Sequence, residues 1–163
     1  MFKSLRDLLE QLPHLVEPDP QAAERALRLA AAVLLVEVMR ADATIRPVER
    51  EAVHRALREQ FALADDEATE LAELAARTAA HATDLFEFTS LIDSRLEMDR
   101  KIRIVEHMCR VAYADGTLSD HERHTLWRVA DLLHIPQGAY VNARARARQA
   151  AEEAGSQAAP ASR

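Results

Sequence analysis

Two stretches of this chain carry one pattern. The first reads Val38-Met39-Arg40-Ala41-Asp42-Ala43-Thr44-Ile45-Arg46-Pro47-Val48-Glu49-Arg50, and the second reads Val111-Ala112-Tyr113-Ala114-Asp115-Gly116-Thr117-Leu118-Ser119-Asp120-His121-Glu122-Arg123. Val, Ala, Asp, Thr, Glu and Arg recur in register, and Ile45 answers Leu118. A repeat of this kind calls for a fold that uses one supersecondary unit twice. Here the unit predicts a long helix closing at Ala-Asp, then a tight turn. One apolar residue, Ile45 or Leu118, is directed back into the core. A second helix follows with glutamate in its first turn. Ser119-Asp120-His121-Glu122 fits a capping box, in which serine and glutamate each accept a backbone N–H of the first turn. In the first copy Pro47 takes the first helical position and Glu49 the third. Two such units pack about a pseudo-two-fold axis.

The residues around the repeat predict helix throughout. Aromatic residues are 4% of the chain and glycine occurs three times, so the runs that favour strands are missing. Alanine and leucine, good helix formers, are abundant. Phe2, Leu5, Leu9 and Leu12 share one face of a segment over 2–12, which Pro13, Pro18 and Pro20 close off. Asp19-Pro20 reads as an N-cap before a helix to about Ala41. Further helices are predicted at 47–61, from Asp65 or Asp66 to 81, and at 84–95, 98–114 and 119–133. Pro136-Gln137-Gly138 predicts a break, and a last helix begins near Ala139. The expected fold is all-α: a compact single-domain bundle of about seven to eight helices. Residues 1–18 form an N-terminal amphipathic segment and linker, 19–148 the helical domain, and 149–163, where no apolar period survives, a disordered tail.

Charge and cysteine usage narrow the function classes. The net charge of −6 repels phosphate backbones and argues against nucleic-acid binding. The single Cys109 leaves no intramolecular disulfide and fits a reducing compartment. Met1 to Asp7 lack the apolar core of a signal peptide, and the run Leu29–Val36 is too short to span a bilayer. A soluble, cytoplasmic protein is expected, with peripheral membrane association at most. No Gly-rich phosphate loop, nucleophile elbow or paired catalytic carboxylate motif occurs, which predicts a protein that is not an enzyme. His121 and His124 lie three apart without the zincin pattern and are expected to face solvent. Met39, Met98 and Met108 are expected as core fill, and Trp127 as a packed residue.

The Ala-Asp-Gly turn, the apolar residue after it and the glutamate at a fixed offset resemble the signature of the TerB tellurite-resistance family. The same signature marks the N-terminal domain of DjlA-type co-chaperones. Ala31–Val38, Thr83–Thr89 and Arg128–Ile135 look like the family's other helical segments, so the resemblance covers about 20–145. It implies a helical bundle, a link to tellurite or other chemical stress, protein partners, and metal handling. No His-Pro-Asp tripeptide follows, so co-chaperone activity is not implied. The first copy departs from the pattern: Ala43 stands for glycine, and Arg46-Pro47-Val48 for acidic residues.

Asp42 and Asp115 fall at helix C-termini, where a carboxylate meets the negative end of the helix dipole. Two arrangements offset that repulsion. One is an Asx-turn, in which the side chain accepts backbone N–H bonds. The other is a calcium or magnesium ion held by Asp42, Glu49, Asp115, Asp120 and Glu122, since hard cations need several oxygens. No other cofactor is indicated. The expected function is a non-enzymatic, TerB-like binding module of a stress- or metal-related response. The alternative is a ligand-free interaction or oligomerisation scaffold, in which the segment over 2–12 docks on a partner or a second copy.

Overall fold

The computed structural model describes residues 19–158, and these form seven helices without a strand among them: α1 (Pro20–Arg40), α2 (Pro47–Phe61), α3 (Asp65–His81), α4 (Phe86–Arg95), α5 (Met98–Ala112), α6 (Asp120–Leu132) and α7 (Gln137–Ala158). The all-helical reading holds. The segment expected over 2–12 lies outside the described residues.

Helix α1 is the axle of the bundle. Asp19 starts it by accepting the Gln21 N–H at 3.0 Å, ahead of Pro20. From Ala26 onward it is buried on nearly every side, and it packs against α2, α3, α4, α5 and α6. Ala26, Ala30, Ala31 and Ala32 let those neighbours approach closely, while Leu34 and Leu35 fill the space between them. The second helix of each unit also meets the first helix of the other, α2 on α5 and α6 on α1. A two-fold relation between the units demands that exchange.

Local chemistry sets the remaining boundaries. Glu67 accepts the Ala64 N–H at 3.0 Å and starts α3. Helix α6 ends with His134 in the left-handed region at φ 57°, and the Ile135 N–H turns back to the Ala130 carbonyl at 3.0 Å. His134 and Lys101 then converge on Asp93: Lys101 Nζ donates to Oδ1 at 2.8 Å and His134 Nδ1 lies 3.1 Å from Oδ2. Hydrogen bonds from these two partners hold the Asp93 carboxyl below its ordinary range, the Lys101 bond most of all. Replacing Asp93 by alanine strands the buried Lys101 ammonium and is expected to destabilise the fold by roughly 1–3 kcal/mol. Chemical denaturation measures it, and an unchanged midpoint would show that the Asp93–Lys101 pair contributes nothing.

Four expectations are corrected. Residues 149–158 are helical, as the second half of α7. Alanine-rich sequence favours helix without an apolar stripe, and Arg148 to Glu152 at 3.1 Å and Gln149 to Glu153 at 3.2 Å add one-turn pairs. Helix α7 also begins at Gln137, because Gly138 falls in a first turn whose Tyr140 N–H already bonds the Pro136 carbonyl. Trp127 is 55% exposed and Ile45 37%, so neither fills the core. Of the two repeat positions, Leu118 alone packs against it.

Candidate functional site at the acidic elbows

Both turns between paired helices are built the same way. The residue before each second helix is extended, Arg46 at φ −102°, ψ 151° and Ser119 at φ −72°, ψ 160°. Glu49 Oε2 accepts the Arg46 N–H at 3.0 Å, and Glu122 Oε2 accepts the Ser119 N–H at 2.8 Å. Ser119 Oγ returns the favour by accepting the Glu122 N–H at 3.1 Å, completing the capping box in the second copy. The aspartates close Asx-turns: Asp115 Oδ1 takes the Thr117 N–H at 3.0 Å and its hydroxyl at 3.3 Å. Gly116 makes the tighter turn available at φ 88°, where a side chain would be strained. Ala43 does not take that conformation, and the matching contact from Asp42 to the Thr44 N–H stretches to 3.5 Å.

Burial gives these elbows their chemistry. Glu49 is 0% exposed and Glu122 1%. Each spends one oxygen on its own cap, and the other, Glu49 Oε1 and Glu122 Oε1, is buried with no hydrogen-bond partner. Such an oxygen forfeits hydration without a replacement. Burial pushes the Glu122 carboxyl above its ordinary range, and the nearby charges of Asp115 and Glu49 push the same way. The three carboxylates of the two elbows therefore share one electrostatic neighbourhood. Arg46 Nη1 donates to Asp115 Oδ2 at 3.0 Å, tying one elbow to the other.

The five acidic residues expected to act together are brought together in part. Asp115 and Glu49 are near enough for their charges to act on Glu122. Asp42 stays in its own loose turn, and the Asp120 side chain, 92% exposed, pairs with Arg123 in the first turn of α6. Among the described residues no three His, Cys, Asp or Glu side chains stand in ligand geometry for a metal. The donors present, two orphan oxygens and an aspartate already engaged by Arg46, suit a hard cation in kind and fall short of its usual number. Arg46 is the residue that sequence reasoning missed; it lies 69 positions from its partner, and only the departure of the first copy from the pattern pointed to it.

Beside the elbows, α2, α5 and the second half of α7 border an open groove of about 660 Å³, with Asp115 and Gly116 at its margin. Alanines of α7 form much of its wall, and Arg55, Glu59, His107 and Arg110 supply charged and polar groups. Burial above all, and the Arg110 charge, hold His107 below its ordinary pKa. Cys109, fully buried on the same helix, has its thiol pushed up to about 12 by burial, which leaves it without nucleophilic character. His121 and His124 are exposed, and the His124 and Trp127 rings lie 6.3 Å apart.

A helical bundle built on two buried, glutamate-capped elbows defines the class of this protein. Residues 28–145 match the family model described as "Tellurite resistance protein TerB", and the chain belongs to that family. No curated protein and no solved structure matched the chain. Among the described residues no helix is long and apolar enough to cross a membrane.

Proposed function

We propose that this TerB-family chain is a non-catalytic, cytoplasmic binding module of a tellurite- or chemical-stress response, whose paired elbows take a calcium or magnesium ion. The observation that carries this reading is the pair of orphaned oxygens, Glu49 Oε1 and Glu122 Oε1, buried at the two elbows. A cation there replaces the hydration they lose and relieves the mutual repulsion of the three carboxylates. Glu49, Glu122 and Asp115 act as ligands, and water completes the shell. Asp42 and Asp120, turned to their own partners, contribute charge at the rim. Protein partners dock on exposed helix faces, where Phe86, Trp127 and Val141 stand out as large apolar residues left in solvent.

The test is a melting experiment on the full chain with about 10 mM calcium or magnesium. For a dissociation constant near 0.1 mM, the expected rise is roughly 5–10 °C, since a hundredfold excess of ligand stabilises by about 2.7 kcal/mol. Glu49→Gln combined with Glu122→Gln should abolish the response. An unchanged transition in both ions, with unmoved amide resonances at Glu49 and Glu122, defeats the reading.

A further inference from the structure

Helix α7 outlasts its own packing. Its last buried residue is Ala147, yet it runs on to Ala158 alongside α2 and α5. The side it turns to the groove carries Ala150, Ala151, Ala154, Gly155 and Ala158. Side chains this small leave the slot of about 660 Å³ unfilled, and its apolar wall stays in water. From Ala147 to Ala158 that wall is about 16 Å long. Toward the start of α2, Val48 and Ala52 continue the apolar lining.

The other end is polar. Glu59 follows Arg55 by one turn on α2 and meets Arg110 of α5 at 3.5 Å. Arg110 follows His107 by one turn, and the Glu59 charge acts on His107. Glu59 thus places Arg55 on one wall near His107 on the other. His107 is 6% exposed, lines the groove, and has no hydrogen-bond partner among the described residues. Its ring, kept neutral chiefly by burial, offers one donor and one acceptor. Charge here is one-sided. Every acid of the groove is already paired: Glu51 with Arg58 at 3.4 Å, Glu59 with Arg110, and Asp115 with Arg46. Arg55 forms no ion pair among the described residues. An unpaired cation, an unpartnered ring and an apolar run beyond them call for a ligand with one anionic end and an apolar body.

We propose that this groove binds a monocarboxylate with a single apolar chain, a medium-chain fatty acid in kind: Arg55 and His107 hold the carboxylate, and the chain lies along the α7 alanines. The guanidinium fork of Arg55 matches a carboxylate, and the neutral His107 ring donates a hydrogen bond to it. The chain covers the alanine wall and gains the burial that α7 lacks past Ala147. The groove is separate from the buried glutamate oxygens, so this proposal stands or falls apart from the cation reading.

The experiment is titration of the full chain with decanoate, and separately with decanol, read from the His107 ring resonances by NMR. Two variants accompany it, Arg55→Gln and Ala154→Leu. Both positions are exposed on helices, so both variants should keep the helical circular dichroism spectrum. Decanoate should shift the His107 ring saturably in the wild type. Binding should weaken roughly fivefold to tenfold in Arg55→Gln, and by a similar factor when decanol replaces decanoate. The leucine in Ala154→Leu fills the slot and should abolish the shift. Equal binding of decanol and decanoate, or wild-type binding by either variant, overturns the proposal. So does an unmoved His107 ring, and a concentration-dependent dimer found alongside it would assign the groove to a second copy of the chain.

Discussion

Replacing Leu34 by alanine is expected to lower the stability of this protein by about 2–5 kcal/mol. Leu34 is 0% exposed at the centre of α1, the helix that five others pack against. Its neighbours in sequence are already small or tightly enclosed, Ala31 and Ala32 on one side and Leu35 and Val38 on the other. None has spare side chain to move into the gap. The deletion therefore loses both the transfer free energy of the leucine and the contacts around the resulting cavity. For a chain of this size the melting transition should fall by roughly 5–15 °C. The matched control is Val141→Ala, at a position 48% exposed, which should change stability by at most about 0.5 kcal/mol. If thermal denaturation gives the two variants the same midpoint, α1 is not the structural centre of the bundle.

The second large effect lies at Glu122, and its sign depends on the replacement. Glu122→Ala removes the acceptor of the Ser119 N–H and opens a hole at a site 1% exposed. A loss of roughly 1–3 kcal/mol is expected. Glu122→Gln goes the other way: the amide oxygen still accepts from Ser119, and no charge has to be stripped of water. The folded protein holds the Glu122 carboxyl above its ordinary range, chiefly by burial. A group raised in this way favours folding below the ordinary carboxylate pKa, where it is protonated in both states. That contribution is lost as pH climbs through the raised value. Chelated of divalent ions, Glu122→Gln should therefore melt above the wild type at neutral pH, with the gap closing toward about pH 4. Melting curves across that range decide the matter. A glutamine variant that is less stable at neutral pH would mean that the Glu122 charge already has an adequate partner.

Much of the fold was legible because helix boundaries here are written in short-range chemistry. Asp19-Pro20, Pro47 and Ser119 act within one turn, and the structure places helix starts where they predict. The repeat was legible for the same reason, since each glutamate caps the turn three residues before it. The second half of α7 was not, because alanine forms helix without an apolar period to announce it, and the pairs that steady it are polar. Trp127 was misjudged for the opposite reason: its size argued for burial, and the face of α6 it occupies points to solvent. At the site, spacing alone put Asp120 with the ligands, although the first turn of a helix carries successive residues to different sides. Glu122 faces inward and Asp120 outward. The bond from Arg46 to Asp115 joins residues too far apart in the chain for any local rule to find.

The central position of α1 has a consequence for synthesis. A ribosome makes this helix before every one of the five that enclose it. Until α6 has emerged, a stretch from Ala26 to Met39 that is almost wholly apolar lacks part of its final cover. The nascent chain thus passes through a sticky interval whose length is set by topology rather than by stability, and a holding chaperone would meet it there.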